Sequence, residues 1–456
     1  MTDVAESTTE QATLNLRWYQ GVPRYAWVVL MLAALGWMFD TFDQHLFTLL
    51  RNPSLRDILG QTITDPKALD AAITKVGGNL TSVFLLGWAA GGFLFGMVGD
   101  KLGRTRTMVT TILIYAVFTG LNGLARSPLE YGICRFLIAL GVGGEFAAGA
   151  SLVAEVWPNR SRPMALGLVQ ALSAVGNVCA ALTTLVLASV SWRWIFAVGA
   201  APALLVFWIM LSVKEPEKWQ EAKRESEGGG RQLGSISALF ADPILRRNTF
   251  VGVSLAAAGV AGAWGAAFFS PDLISGAFRP MVQATAATKA ELDRGLQMWR
   301  SWVFLVQMCG AGLGMFSYAL LSERIGRKKA MAIVFVAAFL SLEAFFGLVR
   351  TPATAFPLAF LLGFCALAPF SAYMVYFPEL YPTRVRATGI GFCYNSARVL
   401  AAAAPFTLGT LSRIFADPAD PTAGLRKAAA VVACVYVVGL IALLFAPETQ
   451  GKPLPE

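Results

Sequence analysis

Residues 96–106 read Gly96-Met97-Val98-Gly99-Asp100-Lys101-Leu102-Gly103-Arg104-Thr105-Arg106, and residues 319–327 read Ala319-Leu320-Leu321-Ser322-Glu323-Arg324-Ile325-Gly326-Arg327. The second stretch returns the acid, base, glycine and arginine of the first at an offset of 223 residues. A second pair keeps almost the same spacing. Glu155-x-Trp157-Pro158-x-Arg160-x-Arg162 recurs 224 residues later as Glu379-x-Tyr381-Pro382-x-Arg384-x-Arg386, and Gly167 and Gly391 hold that offset. Two motif pairs in register imply a duplicated unit, the parallel-repeat design of one class of membrane transporter.

The segments around these motifs are apolar and of one length class. A helix needs about 20 apolar residues to cross the hydrocarbon core. Runs of that kind cover 27–50, 80–98, 108–125, 129–153, 164–190 and 194–211 in the first half, and 250–269, 299–321, 330–349, 353–377, 387–411 and 428–445 in the second. The 456 residues are 56% hydrophobic and 14% charged, against roughly 25% charged in soluble domains. The expected fold is an all-α membrane protein of twelve transmembrane helices in two pseudo-symmetric six-helix bundles. The expected division is a cytoplasmic tail 1–23, a bundle 24–213, a charged linker 214–247, a second bundle 248–446 and a tail 447–456. Long external segments are expected before Asn79 and before Trp299.

The net charge of +9 belongs to topology rather than to nucleic acid. With the amino terminus placed in the cytoplasm, 21 of the 37 Lys and Arg fall in cytoplasmic segments and 14 in external ones, leaving Arg135 and Arg398 inside helices. This is the positive-inside pattern, and it puts both termini in the cytoplasm. Cys134, Cys179, Cys309, Cys365, Cys393 and Cys434 all fall in apolar runs without a C-x-x-C spacing. They read as buried small hydrophobes, so no disulfide frame, metal site or cofactor is expected.

The Gly-x-x-x-Asp-Lys-x-Gly-Arg loop resembles the signature loop of the major facilitator superfamily, and the resemblance extends over nearly the whole chain. Arg135 followed by Gly141, Gly143 and Gly144 resembles a second motif of that family. The tail Pro447-Glu448-Thr449-x-Gly451-Lys452 is similar to that of sugar porters. Asp40-x-x-Asp43 and Tyr394-Asn395-x-x-Arg398 look more like bacterial aromatic-acid, metabolite or sialate proton symporters. Glu323 for Asp and Ala319 for Gly are departures in the second loop. The resemblance implies a monomeric carrier in a bacterial inner membrane, with a small-molecule substrate and protons as partners.

The motif residues then read as a cytoplasmic gate. Glycines such as Gly96 and Gly103 permit close helix approach and tight turns. Asp100 at the membrane edge can meet a helix amino terminus or an arginine. Arg104 and Arg106, the second-half set Glu323, Arg324 and Arg327, and the charged sets Glu155, Arg160, Arg162 and Glu379, Arg384, Arg386 complete the candidate network. Plain anchoring of topology by basic residues is the competing reading.

Charges inside the bilayer are costly and mark function. Asp40 and Asp43 share a helix face, with Asp40 about 20 Å from Trp27 along the axis. The resemblance makes helices 1 and 4 neighbours, so Arg135 can lie beside them as a proton-coupling site or as a static buried pair. Glu145 is read either as a second proton carrier or substrate contact, or as a packing residue. Arg398 suits a carboxylate-bearing substrate or neutralises an acid on a neighbouring helix. Asn395, one turn earlier, could add a hydrogen bond. His45 reads as a membrane-interface residue or, alternatively, a pH sensor. Glu343 and Arg350 read as an interfacial pair, and Trp88, Trp264, Trp299 and Trp302 mostly as interface or packing aromatics, with lining of a substrate cavity open to one or two of them.

Other classes fit less well. One histidine, no H-E-x-x-H and no G-x-S-x-G argue against an intramembrane enzyme. A channel does not need paired loop motifs. The absence of G-x-x-x-x-G-K-[ST] leaves an ion gradient as the energy source, sodium or protons, and the acidic helix residues favour protons. The sequence therefore points to proton-coupled symport of a small organic anion. A sugar symporter and a non-transporting nutrient sensor on the same fold are the alternatives.

Overall fold

The computed structural model describes residues 17–187, 190–229, 231–401 and 403–456. Most of the expected amino-terminal tail, residues 1–16, lies outside the described residues. Twelve spans follow one another. In the first half these are α1 (Arg24–Leu59), α2 (Pro66–Leu102), α3 (Arg104–Asn122), α4 (Pro128–Val156), α5 (Arg162–Val186) and α6 (Trp192–Ser212). The second half has α7 (Pro243–Gln283), α8 (Lys289–Ile325), α9 (Arg327–Leu348), α10 (Pro352–Leu380), α11 (Arg386–Ala401 with Ala403–Ile414) and α12 (Ala423–Phe445). Two short helices, Glu217–Glu227 and Ile236–Ala241, lie in the linker. Among the described residues ten helices are long and apolar enough to cross a membrane on that ground alone. The other two, α3 and α11, carry the polar and charged residues of the motifs. Among the described residues no strand forms, and one isolated bridge joins Asp417 and Asp420.

The segments expected to be long external connections are largely helical. Helix α1 continues past its apolar run to Leu59, and α2 starts at Pro66. Asp65 caps α2 by accepting from Ala68 N at 2.7 Å, with Pro66 preset for the first turn. Thr288 and Glu291 form a capping box that starts α8 ten residues before Trp299. Caps override the weaker hydropathy there.

The packing repeats between the halves. Helix α1 packs on α5 as α7 packs on α11, α2 on α4 as α8 on α10, and α3 on α4 as α9 on α10. The halves meet along two seams, α2 against α11 and α5 against α8, which are each other's counterparts in the repeat. Gly103 (φ 116°) and Gly326 (φ 93°) turn the chain from α2 into α3 and from α8 into α9. With ψ of 155° and 161° both sit in a region that is essentially glycine-only. Large apolar side chains such as Leu86, Leu113, Leu204, Leu211 and Leu444 stay exposed, a surface suited to lipid rather than water. Both ends of the described chain lie with the motif loops. Gln20 O accepts from Arg160, and Pro455 O accepts from Arg386 Nη2 at 2.8 Å.

Candidate functional site

Two clusters of buried charge occupy different levels. The first closes the motif-loop end. Asp100 is fully buried at the end of α2 and reaches across the seam to the first turn of α11. Its carboxylate accepts from Ala387 N (3.1 Å), Thr388 N (2.8 Å) and Thr388 Oγ1 (2.5 Å), and also from Arg104 Nη1 (2.5 Å). An anion at a helix amino terminus is favourable because free N–H groups and the dipole both point at it. Gly96 makes the approach possible, since a Cβ there would lie 2.8 Å from Ala387 O.

Arginines tie this contact to α4 and α10. Arg104 donates to Glu155 Oε1 (3.0 Å), to Gly99 O (2.7 Å) and across the seam to Thr383 O (2.7 Å). Arg386 of the second half donates to Glu155 Oε1 at 2.7 Å. In the second half Arg327 pairs with Glu379 (3.0 Å), which also accepts from Thr449 Oγ1 (2.6 Å). That half has no equivalent of the Asp100 cap. Pro163 stands where Ala387 stands in the repeat, and proline has no N–H to give. Glu323, the counterpart of Asp100, lies instead in the field of Arg327, Arg160 and Arg324.

The remaining motif residues take other places. Arg106 and Arg324 are exposed. Arg162 donates to Ala154 O (3.0 Å) on its own side, and Arg384 accepts Gly234 N at its carbonyl (2.9 Å). Sequence reasoning did not single out Glu215 as a cap. It accepts from Thr105 N (3.2 Å) and Arg106 N (3.0 Å) at the start of α3, as Glu448 does from Arg327 N (2.9 Å) and Lys328 N (3.1 Å) at the start of α9. Burial alone would raise the Glu448 carboxyl, but four backbone N–H groups outweigh it and leave it below the usual carboxylate range.

The second cluster lies inside the bundle. Asp43 is bonded by Arg135 Nη1 (3.2 Å) and Thr119 Oγ1 (2.8 Å). The Arg135 guanidinium packs on Phe47 at 4.0 Å and Phe84 at 4.3 Å. Asp40 separates from this pair. Its carboxyl lies within reach of Glu145 of α4 and in the field of Arg398 of α11. Neither oxygen of Asp40 or Glu145 finds a donor among the described residues. Glu145 fits beside α1 because Gly36, one turn before Asp40, has no side chain to exclude it.

Arg398 is held face-on between Trp88 (3.8 Å) and Tyr394 (3.9 Å), with Nη1 donating to Asn395 Oδ1 (3.0 Å). Asn395 also donates to Gly391 O (2.7 Å), so its amide is spent on orienting the arginine. Arg398 Nε is buried and without a partner among the described residues. Phe146 stacks on Tyr394 at 4.1 Å. Trp88 thus belongs to the charge cluster, which its sequence context did not single out from the other tryptophans. His45 stacks on Phe304 across the halves (5.0 Å). Arg350 bonds the carbonyl of Val349, and no ion pair joins it to Glu343 among the described residues.

Known proteins share this plan. The family model described as Major Facilitator Superfamily matches residues 26–287. The chain is 31% identical to a probable 4-methylmuconolactone transporter of Cupriavidus pinatubonensis, covering 91% of this chain and 89% of that protein. It is 30% identical to the sialic acid transporter NanX of Escherichia coli, covering 85% and 88%. The proton:xylose symporter XylE, solved with 6-bromo-6-deoxy-D-glucose, superposes with a TM-score of 0.72 at 16% identity over 94% of this chain and 98% of that one. The repeat, the twelve spans and these matches lead to one conclusion: the chain belongs to the Major Facilitator Superfamily.

Proposed function

We propose that the protein is a proton-coupled symporter that carries a small organic anion across a bacterial inner membrane by alternating access. The positive-inside distribution supports a cytoplasmic motif-loop end and cytoplasmic termini. In this conformation the cytoplasmic end is latched, so the inner cluster belongs to an inward-closed state of the cycle.

The observation that carries the reading is the unpartnered Asp40–Glu145 pair facing a clamped Arg398. Two buried carboxyls side by side with no donor are satisfied when one of them is protonated and donates to the other. The guanidinium, stacked on two rings with Nε free, offers a planar donor edge suited to a carboxylate. A neutral sugar offers that edge hydroxyls instead of a matching planar acceptor. The relative named as a sialic acid transporter fits an acidic substrate.

Charge arithmetic sets the coupling. Asp40, Asp43 and Glu145 face Arg135 and Arg398, so the empty cluster is neutral with one proton. An arriving monocarboxylate needs one more proton to keep the loaded site neutral, and uncompensated charge in the bilayer costs several kcal/mol. One proton then accompanies each monoanion, and transport is electroneutral. Uptake of aromatic and sugar acids into proteoliposomes tests this. A pH gradient should drive accumulation, whereas a potassium–valinomycin potential should not. Arg398→Lys should lower affinity for carboxylates and spare protein folding. Uptake of neutral analogues at equal rates would overturn the anion reading.

A further inference from the structure

Two lateral grooves open at the motif-loop end, one in each half. The first, about 530 Å³, runs between α2, α3 and α6 and is lined by Leu102, Arg106, Val109, Thr110, Met210 and Glu215, among others. The second, about 750 Å³, runs between α8, α9 and the tail and is lined by Arg324, Ile325, Lys329, Ala332, Ile333 and Gln450. Ile325, Lys329, Ala332 and Ile333 are the counterparts of Leu102, Arg106, Val109 and Thr110 at the motif offset of 223 residues. The same concavity therefore recurs at the same place in both bundles. Each has a basic residue one turn above its apolar floor, and that floor faces the bilayer: Leu102 is 56% and Ile333 50% exposed.

The geometry points to a pair of binding sites for phospholipid, of which the second selects an anionic headgroup. Arg324 and Lys329 are exposed, and among the described residues neither side chain has an ion-pair partner. They form the mouth of the second groove, whose lining among the described residues holds no acid and one further polar side chain, Gln450. Glu323, in the field of Arg324, and Glu448, which caps Lys328, lie next to the groove outside that lining. Basic pockets at the cytoplasmic edge between transmembrane helices suit anionic headgroups, while the apolar floor takes an acyl chain. In the first groove Glu215 stands beside Arg106, so its mouth carries no net charge and discriminates less. The bilayer itself supplies the occupant. The proposed topology enters only in naming the leaflet as cytoplasmic.

The test reads lipid binding rather than transport, so its outcome is independent of the solute proposal. Purified full-length protein in a neutral detergent is titrated with phosphatidylglycerol or phosphatidylcholine, and bound lipid is counted by native mass spectrometry. The parent should prefer phosphatidylglycerol. Arg324→Gln with Lys329→Gln should weaken phosphatidylglycerol by about 30-fold, taking the usual contribution per basic residue near an anionic surface, and leave phosphatidylcholine unchanged. Ile333→Trp, which fills the groove and keeps both cations, should reduce retention of both lipids. Thermal unfolding matching the parent verifies that each variant is folded. Equal binding of the two lipids by the parent, or unchanged phosphatidylglycerol binding by the double variant, would overturn the proposal.

Discussion

Asp100→Asn isolates the energy of the latch. In the closed state the carboxylate takes three bonds from the start of α11 and one from Arg104. Asparagine keeps one carbonyl oxygen and turns an NH2 toward groups that are themselves donors. At least one charge-assisted bond is lost, about 1.5–3 kcal/mol, together with about 0.3–1 kcal/mol of charge–dipole attraction. The bonds to α11 exist only when the halves are closed, so roughly 2–4 kcal/mol shifts the closed–open balance, about 30- to 1000-fold.

Ser371 provides the readout. It is fully buried on α10, and Gly167 of α5 packs over its hydroxyl, where a Cβ would stand 3.4 Å from Oγ. In a Ser371→Cys protein with the exposed Cys309 and Cys434 replaced, a membrane-impermeant maleimide reaches that thiol only through an opened seam. Adding Asp100→Asn should raise the labelling rate by at least 30-fold on the energetics above, while uptake falls. Unchanged labelling in a folded Asp100→Asn protein would refute the latch.

Asp40→Asn combined with Glu145→Gln should abolish accumulation driven by a pH gradient while sparing substrate exchange. Asp43→Asn strands the buried Arg135 and should destabilise the protein by about 3–5 kcal/mol, read as a large fall in Tm. Gly326→Ala forces a side chain into a glycine-only conformation with its Cβ 2.8 Å from Glu448 Oε2, and a loss of about 1–3 kcal/mol is expected from unfolding in detergent. Glu448→Gln should lower Tm at neutral pH. Because the folded carboxyl lies below its unfolded value, its contribution is present above the unfolded pKa and fades as pH falls through the folded one. The Tm difference from the parent should therefore shrink on acidification.

The architecture was legible because it depends on quantities a single chain carries: run length, motif spacing and the distribution of Lys and Arg. The intramembrane charges were legible for the same reason, being rare and costly. Arg135 as a partner followed from the family resemblance; which aspartate it takes, and what the other meets, did not. Asp40 and Asp43 share a face three residues apart, yet Asp43 turns to Arg135 and Thr119 while Asp40 meets Glu145. That choice depends on helix rotation, which hydropathy leaves open. The clamp on Arg398 was hidden because Trp88 is one of 12 tryptophans in a chain where aromatics commonly pack. Glu215 and Glu448 sit in polar connections, where carboxylates are ordinary until the N–H groups they cap are in place. Pro163 was readable in principle. Aligning it with Ala387 shows that one seam lacks the donor that the other uses.

The two clusters are connected through shared helices. Helix α11 carries Arg398 and, ten residues earlier, Thr388; α4 carries Glu145 and, ten residues later, Glu155; α2 carries Trp88 and Asp100. At 1.5 Å per residue each helix links the inner site to the latch over roughly 15–18 Å. A helix moves as a rigid rod over such a length, so on the proposed mechanism a shift of α11 toward a bound carboxylate would displace the N–H groups that Asp100 holds. On the proposed mechanism, protonation of the Asp40–Glu145 pair would relax α1 against α4, and α4 carries the glutamate that bridges to Arg386. Neither event alone need open the end. If closed is favoured by the 2–4 kcal/mol attributed to Asp100, a ligand opens it only by binding the open state better by a similar amount. Substrate acting through α11 and a proton acting through α4 can each supply part of that difference. Requiring both is what makes such a carrier a symporter rather than a leak for either one.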